Sequence, residues 1–273
     1  DMWHHPSTRE NLERIRNFGN HIIPVDKGEL ASGLFGEGRM AEPEAIVAWL
    51  DDFFTGSAQL KGKKALITAG PTQEAIDPVR FISNHSSGKM GIALAEELYR
   101  RGAEVTLVLG PSAQAIPAGI RVIPVHSAAE MYAACNEHFG GTDIAIMSAA
   151  VADYTPVHVA TSKIKKSGDT LTLELAKTKD ILKSLGEKKK AGQWLVGFAL
   201  ETDNEKAHAL KKLESKNADM IVLNSLNDKG AGFGHDTNKI TIFDRKGNEY
   251  VFDTKSKKQV AKDIVNTLIQ LYA

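Results

Sequence analysis

The stretch ALITAGPTQEAIDPVRFISNHSSGKMG, residues 65 to 91, decides how the chain is read. Its first five residues are a continuous apolar run ending on Gly70, the pattern of a strand buried on both faces. Its last eight, NHSSGKMG, open an amphipathic helical pattern over Gly91 to Arg101. The loop between them, beginning GPTQEAIDPVR (Gly70 to Arg80), is unusually long for a strand-to-helix turn of a compact core. Asn84, Ser86 and Ser87 are capping residue types, and Gly88 lets a backbone approach a ligand. The unpaired N–H groups of a helix start favour an anion. A well-capped structural helix is the competing reading. Neither standard phosphate fingerprint fits. A dinucleotide site needs G-x-G-x-x-G directly after the strand, but Pro71 and Thr72 follow Gly70 and only the Gly88-x-x-Gly91 half is present. A P-loop ends in G-K-[ST], whereas Met90 follows Gly88-Lys89.

Outward from this stretch, strands and helices alternate. Strand patterns cover Glu104 to Leu109, Arg121 to Val125 and Asp143 to Ser148, with a helix over Ala128 to Phe139. Parallel pairs need crossovers of a dozen or more residues, so four short apolar strands with helix-length connections predict a parallel sheet covered on both faces. The expected fold class is α/β, a doubly wound, Rossmann-like core. Further strands are expected at Thr170 to Leu175 (TLTLEL, alternating and half exposed), Trp194 to Phe198 and Met220 to Asn224. A hairpin joins Lys239 to Asp244 with Glu249 to Phe252, and a terminal amphipathic helix covers Lys257 to Tyr272.

The first 54 residues read as a separate unit. Ser7 to Glu10 has capping-box spacing ahead of a helix, His21 to Val25 is a short strand candidate, Gly28 to Met40 is a glycine-rich loop, and Pro43 opens a second helix. Residues 55 to 62 are polar and glycine-containing and read as a linker. The second unit is then 63 to 273.

Composition narrows the partners. The 273 residues carry 34 Lys plus Arg against 34 Asp plus Glu, so the whole-molecule field gives no reason to expect nucleic acid or a membrane surface. Any anion site must be local. One cysteine, no apolar run near ~18 residues and no secretory pattern predict a soluble cytoplasmic protein. His4, His5 and His21 lack convincing metal-ligand spacing, and Cys135, in a predicted helix, reads as a buried small residue. Asp143 reads as a turn residue. A basic run, Lys163-Ile164-Lys165-Lys166, follows Asp153 by ten residues, and a solvated loop is its simplest reading.

Together, ITAGPTQEAIDPVRFISNHSSGKMG, AAVADY, KIKK, KDIL, VGFALET and KLESKNAD resemble the ordered motifs of bacterial phosphopantothenoylcysteine synthetase, from about Lys63 to the C-terminus. The first 54 residues, with MWHHP, GELASG and GEGRMAEP, resemble the tail of the flavin-dependent decarboxylase fused to it, and the resemblance explains the orphan unit. Ser32 stands where the flap of that family commonly carries a cysteine. Because the flavin-binding core has no counterpart in these residues, the chain is expected neither to bind FMN nor to decarboxylate; FMN belongs to the bifunctional protein.

The resemblance implies ligation of 4'-phosphopantothenate to L-cysteine, driven by CTP with Mg²⁺ and passing through an acyl-CMP. It makes Asn84, Arg80 and Lys163 the catalytic residues: Asn84 holds the acyl intermediate with its amide donating to the carbonyl oxygen, Arg80 with Ser86, Ser87, Gly88 and Lys89 meets the substrate phosphate, and Lys163 is a mobile-loop lysine that closes on the reacting centre. For the nucleotide it implicates Met147, Ser148, Ala149, Asp153, Lys163, Lys179, Asp180, Ile181, Leu182, Phe198, Lys212 and Lys216. Phe198 can stack or be core. Lys212 and Lys216, four apart, can share a helix face or simply be solvated. A homodimer through the region around the basic loop is also implied, with TLTLEL offered as a contact strand. The alternatives are a non-catalytic nucleotide-binding regulatory domain and a Rossmann-like reductase. The reductase uses a tyrosine and lysine four apart, but His158 follows Tyr154.

Overall fold

A computed structural model describes residues 2–18, 20–29, 33–56, 59–166, 169–201, 203–225 and 236–272. The chain folds as two compact units, Asp1–Ala58 and Gln59–Ala273.

The first unit holds α1 (Pro6–Asn17), β1 (Asp26–Glu29), β2 (Phe35–Arg39) and α2 (Pro43–Gly56). The expected strand at 21–25 is absent. The ladder begins at Asp26, where β1 pairs antiparallel with β2 in the register Gly28 with Gly36, and the expected glycine-rich loop is mostly this hairpin. His21 instead packs edge-on to Phe53, which stacks on Trp49. The first helix is capped by His5, whose Nδ1 accepts from Ser7 N, and not by the Ser7 box. Little of the unit is buried: among its described residues only Gly28 and Ala41 are closed to solvent. Ser32 lies outside the described residues.

The second unit is built on an eight-stranded sheet. In chain order the unit contains β3 (Lys64–Ala69), β4 (Gln73–Ala75), β5 (Phe81–Ser83), α3 (Lys89–Arg100), β6 (Glu104–Leu109), β7 (Arg121–Pro124), α4 (Ala128–Phe139) and β8 (Ile144–Met147). There follow β9 (Tyr154–Pro156), β10 (Leu175–Lys177), α5 (Ile181–Lys188), β11 (Trp194–Glu201), α6 (Glu205–Ser215), β12 (Met220–Ser225), β13 (Thr237–Asp244), β14 (Glu249–Ser256) and α7 (Lys257–Tyr272). The sheet order is β14-β13-β12-β11-β8-β3-β6-β7. From β12 to β7 all neighbours are parallel, while β13 and β14 add antiparallel. The expected doubly wound class is therefore what forms.

Leu66, Ile67, Ile144 and Ile146 of the central strands are fully buried, as apolar runs covered on both faces must be. On one face Ile67 and Ile146 join a core with Leu94 and Leu98 of α3 and Val260, Ile264 and Leu268 of α7. On the other, Leu66 and Ala145 pack with Met131 of α4, Leu185 of α5 and Leu213 of α6. Asp143 caps the sheet floor: its Oδ2 accepts Lys64 N at 2.8 Å. Cys135 is fully buried, with its thiol pushed up to about 12 by burial, an inert core residue.

Three further expectations change. Thr170 to Glu174 form no strand; only Leu175 enters β10, a short exposed ribbon with β9 outside the sheet. The alternating pattern lacks a buried face to hold it in a longer ladder. The expected loop at 70–80 contains β4, which pairs with β5. Of the expected linker, residues 55–56 complete α2, and Leu60 is buried with its N–H on Arg101 O at 2.9 Å.

The start of α3 lies hard against the sheet. A Cβ on Gly91 would stand 2.5 Å from Ala69 Cβ, 2.6 Å from Ser148 Oγ and 2.9 Å from Thr68 O. The Gly91→Ala variant is expected to lose ~1–3 kcal/mol of stability, read as a lower urea midpoint at unchanged m-value. A wild-type midpoint would contradict this packing.

Candidate functional site

After β3 the chain turns through α3 to β6 and β7, and after β7 it returns through α4, on the opposite face, to β8. The order thus reverses between β3 and β8, and the crevice outside their carboxyl ends is where doubly wound sheets bind ligands. The two strand ends are locked together beyond the ladder. Ala150 N donates to Gly70 O at 3.0 Å, and Pro71 bridges Ala150. Ser148 Oγ donates to Thr68 O at 2.6 Å, and Ala149 N donates to Thr68 Oγ1 at 3.1 Å. Gly88, the N-cap of α3, has φ +78, a conformation open to glycine, so the turn needs no capping side chain. Ser86 Oγ instead accepts the Gly88 N–H at 3.3 Å, and both Ser86 and Ser87 line the crevice.

Two adjoining cavities fill this crevice. One, of about 510 Å³, is lined by Met147 and Ala149 after β8, by Lys179 to Leu182 at the start of α5, and by Lys177 and Thr178. The other, of about 340 Å³, is lined by Asn84 and Ser86 to Gly91, by Ser148, and by Asn224, Asn238 and Lys257 from the far wall. Asp153, Phe198 and Lys212 border both. Phe198 is half-buried, so it is at once a wall of the site and a partner of the core.

Most of the expected residues converge here, but four depart from expectation. Lys216 lies in neither lining. It follows the last residue of α6, and its Nζ donates to Asp180 Oδ2 at 2.7 Å, so it does not share a ligand-facing surface with Lys212. Burial pushes the Asp180 carboxyl up, but the Lys216 hydrogen bond, the Lys183 N–H and the charges of Lys216 and Lys212 outweigh it and hold it below the usual range. Arg80 also lies outside both linings. Its guanidinium is bound to the buried Asp77 carboxylate and donates to Ile164 O at 3.0 Å. Asp77 Oδ2 accepts Ile164 N at 3.1 Å, so the pair anchors the basic loop and does not reach toward a phosphate. Lys163, next to that anchor, is exposed and outside both linings. Asn84 lines the smaller cavity, yet its Nδ2 donates to Ala150 O and Val151 O, both at 3.1 Å. Two carbonyl acceptors leave Oδ1, an acceptor, as the remaining polar atom.

Residues that sequence reading missed come from distant elements. Asn224, Asn238 and Lys257 reach the site from β12, β13 and α7, and no local pattern marks them. Tyr132 of α4 supports the site from behind: Lys179 Nζ stands 5.1 Å from its ring centroid, and its hydroxyl meets Ser184 Oγ at 3.0 Å. Among the described residues no group of three His, Cys, Asp or Glu could hold a metal ion, and no helix is long and apolar enough to cross a membrane. His4 lies by Glu37 and His21 in the aromatic cluster.

Asp77 generates a test. Its hydrogen bonds from Arg80 hold the carboxyl well below the usual range against the opposing effect of burial, with the N–H groups of Val79, Ile164 and Arg80 adding to them. A depressed folded-state value contributes stability above the ordinary carboxylate range that is lost as pH falls through it. Asp77→Asn is expected to speed tryptic cleavage at Lys163, Lys165 and Lys166 at neutral pH, and to narrow its stability gap to wild type in acid. Equal cleavage rates would refute the anchoring role.

Comparison with known proteins agrees with this geometry. Residues 60–272 match the model of the DNA/pantothenate metabolism flavoprotein C-terminal domain. The chain is 47% identical over 273 residues to the coenzyme A biosynthesis bifunctional protein of Bacillus subtilis strain 168, covering 99% of this chain and 67% of that one. It is 53% identical over 276 residues to a protein named cysteine/cysteine sulfinic acid decarboxylase from an unknown prokaryotic organism, covering 99% and 77%. A crystal structure of the C-terminal domain of a coenzyme A biosynthesis bifunctional protein superposes with TM-score 0.68 at 43% identity, over 79% of this chain and 98% of that one. With its fold and its sequence in agreement, the chain belongs to the DNA/pantothenate metabolism flavoprotein C-terminal domain family.

Proposed function

We propose that this chain makes 4'-phosphopantothenoylcysteine, joining 4'-phosphopantothenate to L-cysteine for coenzyme A biosynthesis, with CTP as the activating nucleotide. The observation that carries the reading is the pair of adjoining cavities meeting at Asp153, Phe198 and Lys212. A reaction that must bring an acid's carboxylate to a nucleotide's α-phosphate needs two such sites with a common border. The similarity to coenzyme A biosynthesis bifunctional proteins supports the same assignment.

A carboxylate is a poor acyl donor because oxide would have to leave. Its oxygen attacks the α-phosphorus of CTP; the bond to the β-phosphate oxygen breaks and pyrophosphate departs, leaving an acyl-CMP. The cysteine amine then adds to the acyl carbon, the C–O bond to CMP breaks, and the nitrogen loses its proton. The nucleoside and inner phosphates occupy the larger cavity, which opens into the smaller. Lys179 and Lys212 offset phosphate charge, and Asp153 accepts from a sugar hydroxyl or base amino group. Lys216 acts through Asp180, holding the start of α5 in place. The phosphorylated acid lies along Ser86 to Lys89 in the smaller cavity. There Asn84, with both amide protons on backbone carbonyls, offers Oδ1 to the incoming amine rather than a donor to the acyl oxygen. Lys163 enters with the basic loop, whose base Arg80 and Asp77 fix. Magnesium, bound together with the nucleotide, would neutralise phosphate charge during the attack on the α-phosphorus.

The working assembly is a homodimer. The β4–β5 and β9–β10 ribbons lie side by side outside the sheet and expose Phe81, Tyr154, Val157, Val159 and Leu175. A second copy covering them would remove this apolar surface from water. Light scattering at micromolar concentration should give twice the chain mass, and Val159→Asp should shift it toward one. A monomeric wild type would remove this part of the reading.

Release of pyrophosphate on mixing the chain with CTP, Mg²⁺, 4'-phosphopantothenate and L-cysteine tests the activity. Turnover is expected with CTP and to be poor with ATP, and Lys212→Met should lower kcat/KM for CTP by ~10-fold or more through loss of a charge-assisted contact. Equal turnover with ATP would contradict the cytidine assignment, and absence of product with either nucleotide would overturn the ligase reading.

A further inference from the structure

The far wall of the smaller cavity is built by elements that no motif of the sequence marks. There α7 begins at Lys257, whose backbone N–H donates to Asp236 O at 2.9 Å, and Asp236 Oδ1 in turn accepts from Lys89 Nζ at 2.5 Å. One residue therefore ties the first turn of α7 to the first turn of α3, and both helices start at the same cavity. Asn238 is buried beside them and donates from Nδ2 to Asn224 Oδ1 at 3.2 Å. Among the described residues that line this cavity are three lysines, Lys89, Lys212 and Lys257, and the carboxylate of Asp153, with Asp236 paired to Lys89 at its edge.

Lys257 is set deep in this wall, beside the cation of Lys89. Lys257 is 9% exposed, a degree of burial rare for lysine. Burial and then the neighbouring Lys89 ammonium press its charged form down, and Asp236 only partly opposes them. The Asp236 side chain that faces Lys89 is itself 83% exposed, and so exposed an ion pair is readily exchanged for a stronger anion.

Resting on the ligase reading, we propose that Lys257 is a phosphate-binding residue: with Lys89 across the cavity it holds the terminal phosphate of a bound substrate. Two substrates carry such a group, the phosphomonoester of 4'-phosphopantothenate and the outer phosphate of CTP, and the shared chemistry is a phosphate dianion between two ammonium groups. The antiparallel extension β13–β14 and the helix after it thereby gain a role. They close the cleft at the end away from α5 and supply a cation that the parallel sheet alone does not provide.

The test uses the full chain as wild type, Lys257→Met and Lys257→Arg, with thermal melts to confirm folding. Each of the three substrates is varied with the other two saturating. Lys257→Met should raise KM ~10-fold or more for one phosphorylated substrate, as expected for loss of a hydrogen-bonded charge. The KM for L-cysteine should stay unchanged, and Lys257→Arg should recover part of the loss. A rise confined to 4'-phosphopantothenate assigns the monoester, and one confined to CTP assigns the outer phosphate. A folded Lys257→Met with neither KM changed overturns the proposal. Should wild type show no turnover, the ligase reading fails separately, and calorimetric titration with inorganic phosphate and pyrophosphate still decides. Weaker binding of either by Lys257→Met than by wild type sustains the anion site, and equal binding of both removes it.

Discussion

Everything at the site depends on how the carboxyl ends of β3 and β8 are held together. The parallel ladder runs on past both strands through the Pro71–Ala150 bridge and the backbone bond from Ala150 to Gly70. Thr68 then uses both its carbonyl and its hydroxyl to hold Ser148 and Ala149. Strand order reverses at this seam, so the helices on its two sides diverge and leave a crevice. The seam also brings the two loops that carry most of the chemistry to one place: Asn84 Nδ2 spans from the first loop to the carbonyls of Ala150 and Val151 in the second.

From this seam the supporting structure follows in layers. The β4–β5 ribbon, folded out of the long loop after β3, lays the buried Glu74 carboxylate on the N-terminus of α4, where its Oε1 accepts Ala128 N at 2.8 Å. A negative group at a helix start complements the exposed N–H groups and the dipole. The same ribbon carries Asp77 and Arg80, which hold the backbone of Ile164. Residues expected to meet ligand thus divide into those that face the crevice and those that hold the facing residues still. Arg80 and Lys216 fall in the second group because each is paired with a carboxylate, Asp77 in one case and Asp180 in the other.

Polarity is uneven along the crevice. Among the described lining residues, the larger cavity carries Lys177, Lys179 and Lys212 with Asp153 and Asp180, whereas the smaller carries Lys89, Lys212 and Lys257 with Asp153. Hydroxyls and backbone N–H groups from Ser86 to Gly88 add donors only to the latter. The site is thus graded from mixed charge, suited to a nucleoside with its phosphates, to nearly pure cation and donor character.

What the sequence by itself determined was the periodic part. Apolar runs such as ALITA and IAIM must be buried on both faces, and spacing them with helix-length segments permits few arrangements other than a parallel, doubly covered sheet. The crevice loops were legible for the same reason, since they sit next to strands the pattern had already placed, and NHSSGKMG and AAVADY are contiguous. Exposed ribbons were not: TLTLEL has strand periodicity, but within one chain only its Leu175 enters a ladder. Partner choice was also beyond local reading. Whether Arg80 meets a phosphate or Asp77, and whether Lys216 meets a phosphate or Asp180, depends on which charge the fold brings within hydrogen-bond distance. Lys257, 166 residues after Gly91, reaches the same cavity only because β13 and β14 add antiparallel and turn α7 back against α3. Tertiary structure decided those positions because long-range pairing, unlike periodicity, leaves no trace in neighbouring residues.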